Sequence, residues 1–312
     1  MGLFGNFIKK RQHAALKKQI EQLRQTTVAE IMTTFVVTGR PDDTIIQTAT
    51  KMIAEDISCL IVMDGEKLAG ILSERDFLNK VPLDKKVFNM KVKQIMTPNV
   101  VTMPPETSLP EAVTLMKKRN FRRMVIADGE QVVGIMTQTD VSRKIAEIFT
   151  MYPAIPIDDI MTSKVLTTSP KESFPKARGK MQKINVGSII IEEKGEIRGI
   201  FTEYDVVMQF YDQQGKLHIK DVSEFMRKSV KVTEKGMDIF VANRLLLEKK
   251  MHRLPITQEG KLIGIVTQTD VIRFICCELD KILACEELKK FPSKLKFKSE
   301  FKGEHAKVYT FG

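Results

Sequence analysis

The chain has 312 residues, 43% of them hydrophobic, and a formal net charge of +11. Its length accommodates two compact domains of ordinary size, and no apolar run approaches the roughly 20 residues that span a bilayer. The four cysteines, Cys59, Cys276, Cys277 and Cys285, form neither a CxxC pair nor a disulfide framework, which points to a reducing, cytoplasmic setting.

The charge sits at the ends. Residues 1–25 hold six Lys/Arg against one Glu, and residues 289–312 hold seven Lys against two Glu, leaving about +1 for the long middle. The opening MGLFGNFIKK has no long apolar h-region, and Asn6 stands where a myristoylation motif needs Ser or Thr. Residues 3–24 read as an amphipathic helix. Leu3, Phe7, Leu16, Ile20 and Leu23 lean to one side; Lys9, Lys10, Arg11, Lys17 and Lys18 lie largely elsewhere. Such a helix either docks on the protein's own body or meets a partner, with a membrane surface as a third option.

The middle is a fourfold repeat. Met32, Met96, Met161 and Met226 recur at intervals of 64, 65 and 65 residues, and each precedes its Gly (Gly70, Gly134, Gly199, Gly264) by 38. In the second unit a short strand (Val100, Val101, Thr102) leads to a helix with Leu109, Ala112, Val113 and Met116 on one face, Ser108 and Glu111 suggesting its capping box. Strands Met124–Ala127 and Val132–Met136 follow, joined through Asp128-Gly129, with Gly65, Gly195 and Gly260 marking the same turn elsewhere. A second helix runs from about Asp140 to Phe149. Each unit is thus β-α-β-β-α, an α+β fold. A unit of roughly 60 residues buries too little to stand alone, so pairing is expected. Units two and four share TQTDV, whereas one and three carry Glu74 and Glu203 after the Ser or Thr, the mark of a duplicated pair. The segment TMYPAIP, with Pro153 and Pro156, reads as the boundary.

The Gly-x-x-Thr/Ser-x-x-Asp phrase, following an "IMT" opening in three units, resembles the cystathionine-β-synthase (CBS) domain, usually paired into a Bateman module. Residues 28 to about 280 carry the likeness, and the chain resembles the stand-alone four-CBS proteins common in archaea. The expected organisation is a basic helix (1–25), one Bateman module (26–150), a second (151–288) and a basic tail (289–312). The resemblance implies adenosyl ligands held between paired units. Asp76, Asp140, Asp205 and Asp270 would hold ribose hydroxyls, with Ser73, Thr137, Thr202 and Thr267 near ribose or phosphate.

The residues themselves allow two uses. Ser73/Asp76, Thr137/Asp140, Thr202/Asp205 and Thr267/Asp270 stand where a strand enters a helix, so a capping box explains all four. Such boxes favour Glu or Gln, however, and a short carboxylate can also accept from two vicinal hydroxyls. Arg122-Arg123 and His252-Arg253 precede the "MVIA" and "LPIT" strands, where the family places phosphate-binding cations. Units one and three show Asp56-Ile57-Ser58 and Ile184-Asn185-Val186 there. Unit four departs further, with Arg227 for the Thr of "IMT" and Val232 for the strand Thr at Thr38, Thr102 and Thr167. One or two filled clefts are expected rather than four. The cations favour AMP, ADP or ATP over S-adenosylmethionine.

Catalysis finds no motif: no P-loop, GxSxG or GxGxxG, and His13, His218, His252 and His305 lack metal-type spacing. A regulator, not an enzyme, is the expectation. The tail SKLKFKSEFKGEHAKVYTFG alternates, with Leu295, Phe297 and Phe301 against Lys294, Lys296, Lys298 and Lys302, as in a basic β-hairpin turning near Gly303. Two basic ends around a near-neutral middle suit a phosphate backbone, RNA or the ribosome before DNA, in a factor that silences translation at low energy. The alternative is a regulator of an enzyme or transporter with solubilising tails. Homodimerisation is left open.

Overall fold

Each repeat's helix stripe and alternating strands produce the same unit in the computed structural model, which describes residues 3–150, 155–212, 220–278 and 306–309. After α1 (Leu3–Gln25), repeat one holds β1 (Thr38–Gly39), α2 (Ile45–Ala54), β2 (Cys59–Asp64), β3 (Lys67–Ser73) and α3 (Glu74–Lys80). Repeat two holds β4 (Thr102–Met103), α4 (Leu109–Arg119), β5 (Arg123–Asp128), β6 (Gln131–Thr137) and α5 (Gln138–Ile148). Repeat three holds β7 (Thr167–Thr168), α6 (Phe174–Lys183), β8 (Ser188–Glu193), β9 (Glu196–Thr202) and α7 (Glu203–Asp212). Repeat four holds β10 (Val230–Glu234), α8 (Ile239–Glu248), β11 (Arg253–Gln258), β12 (Lys261–Thr267) and α9 (Gln268–Cys277), and β13 (Ala306–Tyr309) follows.

In every repeat the short first strand runs parallel to the second, and the second and third form an antiparallel hairpin. Gly65, Gly129, Gly195 and Gly260 take positive φ at the hairpin loops, where the strand twist requires it. The preceding helices end on left-handed residues at equivalent positions, Asp56, Asn120, Asn185 and Lys250. Pro255 sets a local difference. Without an N–H it cannot join the ladder to β10, so pairing there begins one residue later, at Thr233 and Ile256.

The repeats associate in two ways. Sheets of repeats one and two meet through the Thr33–Ile135 and Ile71–Thr97 bridges, and those of three and four through Thr162–Ile265 and Ile200–Arg227. The repeated Met and Gly meet across these contacts. A Cβ on Gly70 or Gly134 would stand 2.7 or 2.8 Å from the sulfur of Met96 or Met32. Gly264 would meet Met161 at 2.5 Å, and Gly199 faces Met226 likewise. The glycine thus makes room for the partner repeat's methionine.

Helices build the other contacts. One core joins repeats one and three (Ile45, Met52 and Phe77 with Met181, Val206 and Phe210), and another joins two and four (Leu109, Met116 and Ile145 with Phe240, Leu246 and Ile272). The first is sealed by Arg178, 5% exposed, which donates to the carbonyls of Phe77, Leu78 and Val81 at the end of α3. Its counterpart Asn243 donates to Ser142 O at 2.9 Å. Burial lowers the Arg178 pKa to about 10.

For α1, docking on the protein itself holds over the described side chains. Leu16, Ile20 and Leu23 are buried in the core with α4 and α5, each worth about 1.5–3 kcal/mol if fully transferred from water. Lys17 and Lys18 face outward. The side chains of Lys9, Lys10 and Arg11 lie outside the described residues, as do Pro153, Lys294, Lys296, Lys298 and Lys302. In the tail, β13 pairs antiparallel with β10 and extends the fourth sheet; the rest of the expected tail hairpin lies outside the described residues. Ser108 does stand at the N-cap of α4, but its side chain makes no capping bond. Its backbone bridges Thr27 instead.

Candidate functional site

The four repeated Asp residues first serve their helices. In each, Oδ2 accepts from both the backbone N–H and the hydroxyl of the Ser or Thr three residues earlier, at 2.8 and 2.7 Å for Asp76 and at 2.9 and 2.6 Å for Asp270. Asp140 and Asp205 repeat the pattern on Thr137 and Thr202. Even the short Asp therefore reaches back in a capping arrangement, which leaves Oδ1 as the oxygen available for a ligand.

That second oxygen separates the four. Asp76 Oδ1 meets Lys80 at 2.8 Å, Asp140 Oδ1 meets Arg143 at 3.1 Å, and Asp205 Oδ1 meets Arg227 Nε at 3.4 Å. Arg227 also lies over the Tyr204 ring, 4.7 Å from its centroid. Burial raises the Asp205 pKa, against the opposing pull of Arg227. Among the described residues Asp270 keeps Oδ1 without a cation. It is half-buried, while the other three are buried.

Asp270 opens onto a cavity of about 440 Å³, a size suited to a small-molecule ligand. One part, between the sheets of repeats three and four, has Val165, Leu166, Val186, Ile190 and Ile265 as apolar walls, with Thr162, Thr267 and Asp270 as polar groups. The other part reaches between the repeats and carries Arg75, Arg122, Arg123, His252, Arg253 and Arg273. Apolar walls, a carboxylate and a set of cations thus line one cavity.

The basic end is internally organised. Arg123 donates to Ser58 O at 2.7 Å, and its counterpart Arg253 donates to Gly187 O. Arg75 and Arg122 both contact Glu203. His252 Nδ1 and Gln268 Oε1 lie 3.2 Å apart, and Arg273 donates to Asn120 Oδ1 at 3.1 Å. Glu74 also lines the cavity. Its pKa is raised from 4.5 to about 7, first by burial and then by Glu203, with Arg123, Arg253 and Arg227 pulling the other way.

Of the residues singled out from sequence, Thr137, Thr267, Asp270, Arg122, Arg123, His252 and Arg253 line this one cavity; Ser73, Asp76, Asp140, Thr202 and Asp205 do not. Sequence reasoning gave repeat one no cation at its helix-to-strand turn, yet that repeat delivers Arg75 from the start of α3. Arg75 was detectable as the odd member of a column otherwise filled by Thr139, Tyr204 and Thr269. Thr162 belongs to the recurring "IMT" opening, whereas Arg273 had no comparable signal. Among the described residues, His, Cys, Asp and Glu form no group of three that could hold a metal, and no helix is long and apolar enough to cross a membrane.

Known proteins share this architecture. Protein MJ1225 of Methanocaldococcus jannaschii superposes with a TM-score of 0.73, covering 80% of this chain and 100% of that one at 22% identity. By sequence, MJ1225 is 26% identical over 60% of this chain and 71% of its own length. A 33.4 kDa protein in a ribosomal RNA operon of Thermofilum pendens is 30% identical over 61% of this chain, which spans 64% of that relative's length. CBSX2, solved in complex with AMP, is 27% identical over 41% of this chain with a TM-score of 0.36. The CBS domain family matches residues 28–83, 92–147, 157–212 and 220–276, and with four matches spanning most of its length the chain belongs to that family.

Proposed function

We propose that the protein is a nucleotide-sensing regulator that binds AMP, ADP or ATP in the Asp270 cavity, and that it is not an enzyme. The free Oδ1 of Asp270, which shares one cavity with apolar walls and a cluster of arginines, carries this reading. A carboxylate accepts from ribose hydroxyls, the Val165–Ile265 side suits a purine, and guanidiniums suit phosphates. The sulfonium of S-adenosylmethionine would face those same cations, so it ranks behind the phosphorylated ligands. The clefts of Asp76, Asp140 and Asp205 have their second oxygen engaged by a cation of the chain itself and rank behind that of Asp270.

Residues 26–150 and 151–288 remain our division into Bateman modules. Sheet-to-sheet pairing within each supports it, while the helix cores tie the two together. Calorimetric titration of AMP, ADP, ATP and S-adenosylmethionine tests the ligand. Saturable binding of a phosphorylated ligand near one per chain, lost in Asp270→Ala, is expected. Binding that survives this change would refute the assignment.

The output in this reading is cytoplasmic and runs through the basic ends, which engage RNA or the ribosome. Exposed Lys17 and Lys18 on a helix anchored by Leu16, Ile20 and Leu23 support it, as does the charge of the tail. The Thermofilum relative's place in a ribosomal RNA operon agrees. RNA affinity should fall steeply with salt and vanish when residues 289–312 are removed. If the intact chain binds no RNA, the alternative of a protein-directed regulator stands.

A further inference from the structure

After the repeated Ser or Thr, repeats two and four carry Gln138 and Gln268, whereas one and three carry Glu74 and Glu203. The nucleotide reading gives this alternation no role. Glu203 opens α7, is 2% exposed, and stands behind the cavity wall, not in it. Its Oε1 accepts from Arg75 Nε at 2.8 Å and Arg122 Nη2 at 3.2 Å, and its Oε2 accepts from Arg122 Nη1. The two arginines come from repeats one and two. Their side chains keep 26% and 29% exposure, and both line the cavity.

Two guanidiniums side by side in a partly dehydrated wall repel one another, and a carboxylate bridging them from behind offsets that repulsion. Because a guanidinium offers five N–H donors in a rigid plane, Arg75 and Arg122 retain donors for an anion on the cavity side. The neighbouring backbone is shaped for the bridge. A Cβ on Gly187 would lie 3.0 Å from Arg122 Nη2 and from the Glu203 carboxylate, so a larger residue there would crowd it.

We infer that Glu203 is a positioning residue for phosphate recognition: by bridging Arg75 and Arg122 it fixes their forks together against the Asp270 cavity. The inference rests on the nucleotide reading of that cavity. It makes the site composite. Repeat four holds the ribose, repeats three and four wall the base, repeats one and two supply the phosphate contacts, and Glu203 of repeat three sets their geometry without touching the ligand.

Glu203→Gln is the test, because Gln138 and Gln268 already occupy the equivalent helix start in this fold. Calorimetry with AMP and with adenosine separates positioning from general damage. AMP affinity should fall about tenfold or more through loss of charge-assisted contacts, while adenosine binding stays within about twofold. In an Arg75→Ala/Arg122→Ala background, Glu203→Gln should change AMP affinity no further. Unchanged or tighter AMP binding in the single variant overturns the inference, the latter showing that Glu203 competes with phosphate. An equal loss of adenosine overturns it too, leaving Glu203 a purely structural role. If the wild-type protein binds neither ligand, the nucleotide reading falls and this inference with it.

Discussion

The clefts of Asp270 and Asp205 lie in the same pair of repeats and share one backbone plan, yet only Asp205 has its second oxygen on a cation. Thr162 and Arg227 occupy equivalent backbone bridges, to Ile265 and to Ile200. The threonine leaves the carboxylate opposite it free, whereas the arginine reaches Asp205 and covers Tyr204. The recurring Thr-x-x-Asp phrase therefore reports a helix start, and in this pair of repeats the residue on the opposite repeat sets whether the second carboxylate oxygen meets a cation.

Exchanging that residue is the most direct way to break the contrast. Thr162→Arg should bring a guanidinium onto Asp270 and lower nucleotide affinity about 100-fold, by loss of the carboxylate and of cleft volume. Titration calorimetry of AMP reads this; affinity within about twofold of wild type would show that Arg227 is not what closes the other cleft. Next comes Gly264→Ala, whose Cβ would meet Met161 at 2.5 Å. Overpacking there should lower stability by about 1–3 kcal/mol in urea melts, with part of the loss restored by Met161→Ala.

Glu74 gives the contrast a pH axis. Its folded pKa of about 7 exceeds the unfolded 4.5, so its contribution to stability is fully present below about pH 4.5 and is lost as pH rises through about 7. The loss is on the order of 3 kcal/mol. Asp238, raised to about 6 by burial, acts in the same direction. Glu74→Gln should therefore flatten, but not abolish, the decline in denaturation midpoint between about pH 5 and 8. The smallest expected effect is the reverse exchange. Arg227→Thr removes a half-exposed cation from the buried Asp205 carboxylate, and should add a second, weaker nucleotide per chain. A stoichiometry unchanged at saturating AMP would mean that Tyr204 or the cations also exclude the ligand.

The repeat period, hairpin turns and helix stripes were legible because each obeys a local rule. The spacing of Met32 and Gly70, for instance, identified a unit without any partner. What those residues touch was not legible, since Met32 packs on Gly134 and Gly70 on Met96. The same limit applies to the site. Asp270 and Arg253 could be proposed from recurrence, but the choice among four Asp residues depended on Lys80, Arg143 and Arg227, and only Arg227 broke the repeat visibly. Arg75 and Glu203 belong to different repeats, and only folding reveals that they meet.

The methionine–glycine contacts also constrain how such a chain can lengthen or shorten. Each opening methionine is seated in a partner, and each partner's methionine returns to it. Removing one repeat strands a sulfur on one side and an empty notch on the other. Removing two that face each other strands neither. Copy number along this lineage of sequences should therefore change by even steps, and a truncation ending after an odd repeat should expose a sticky sheet face where the cut was made.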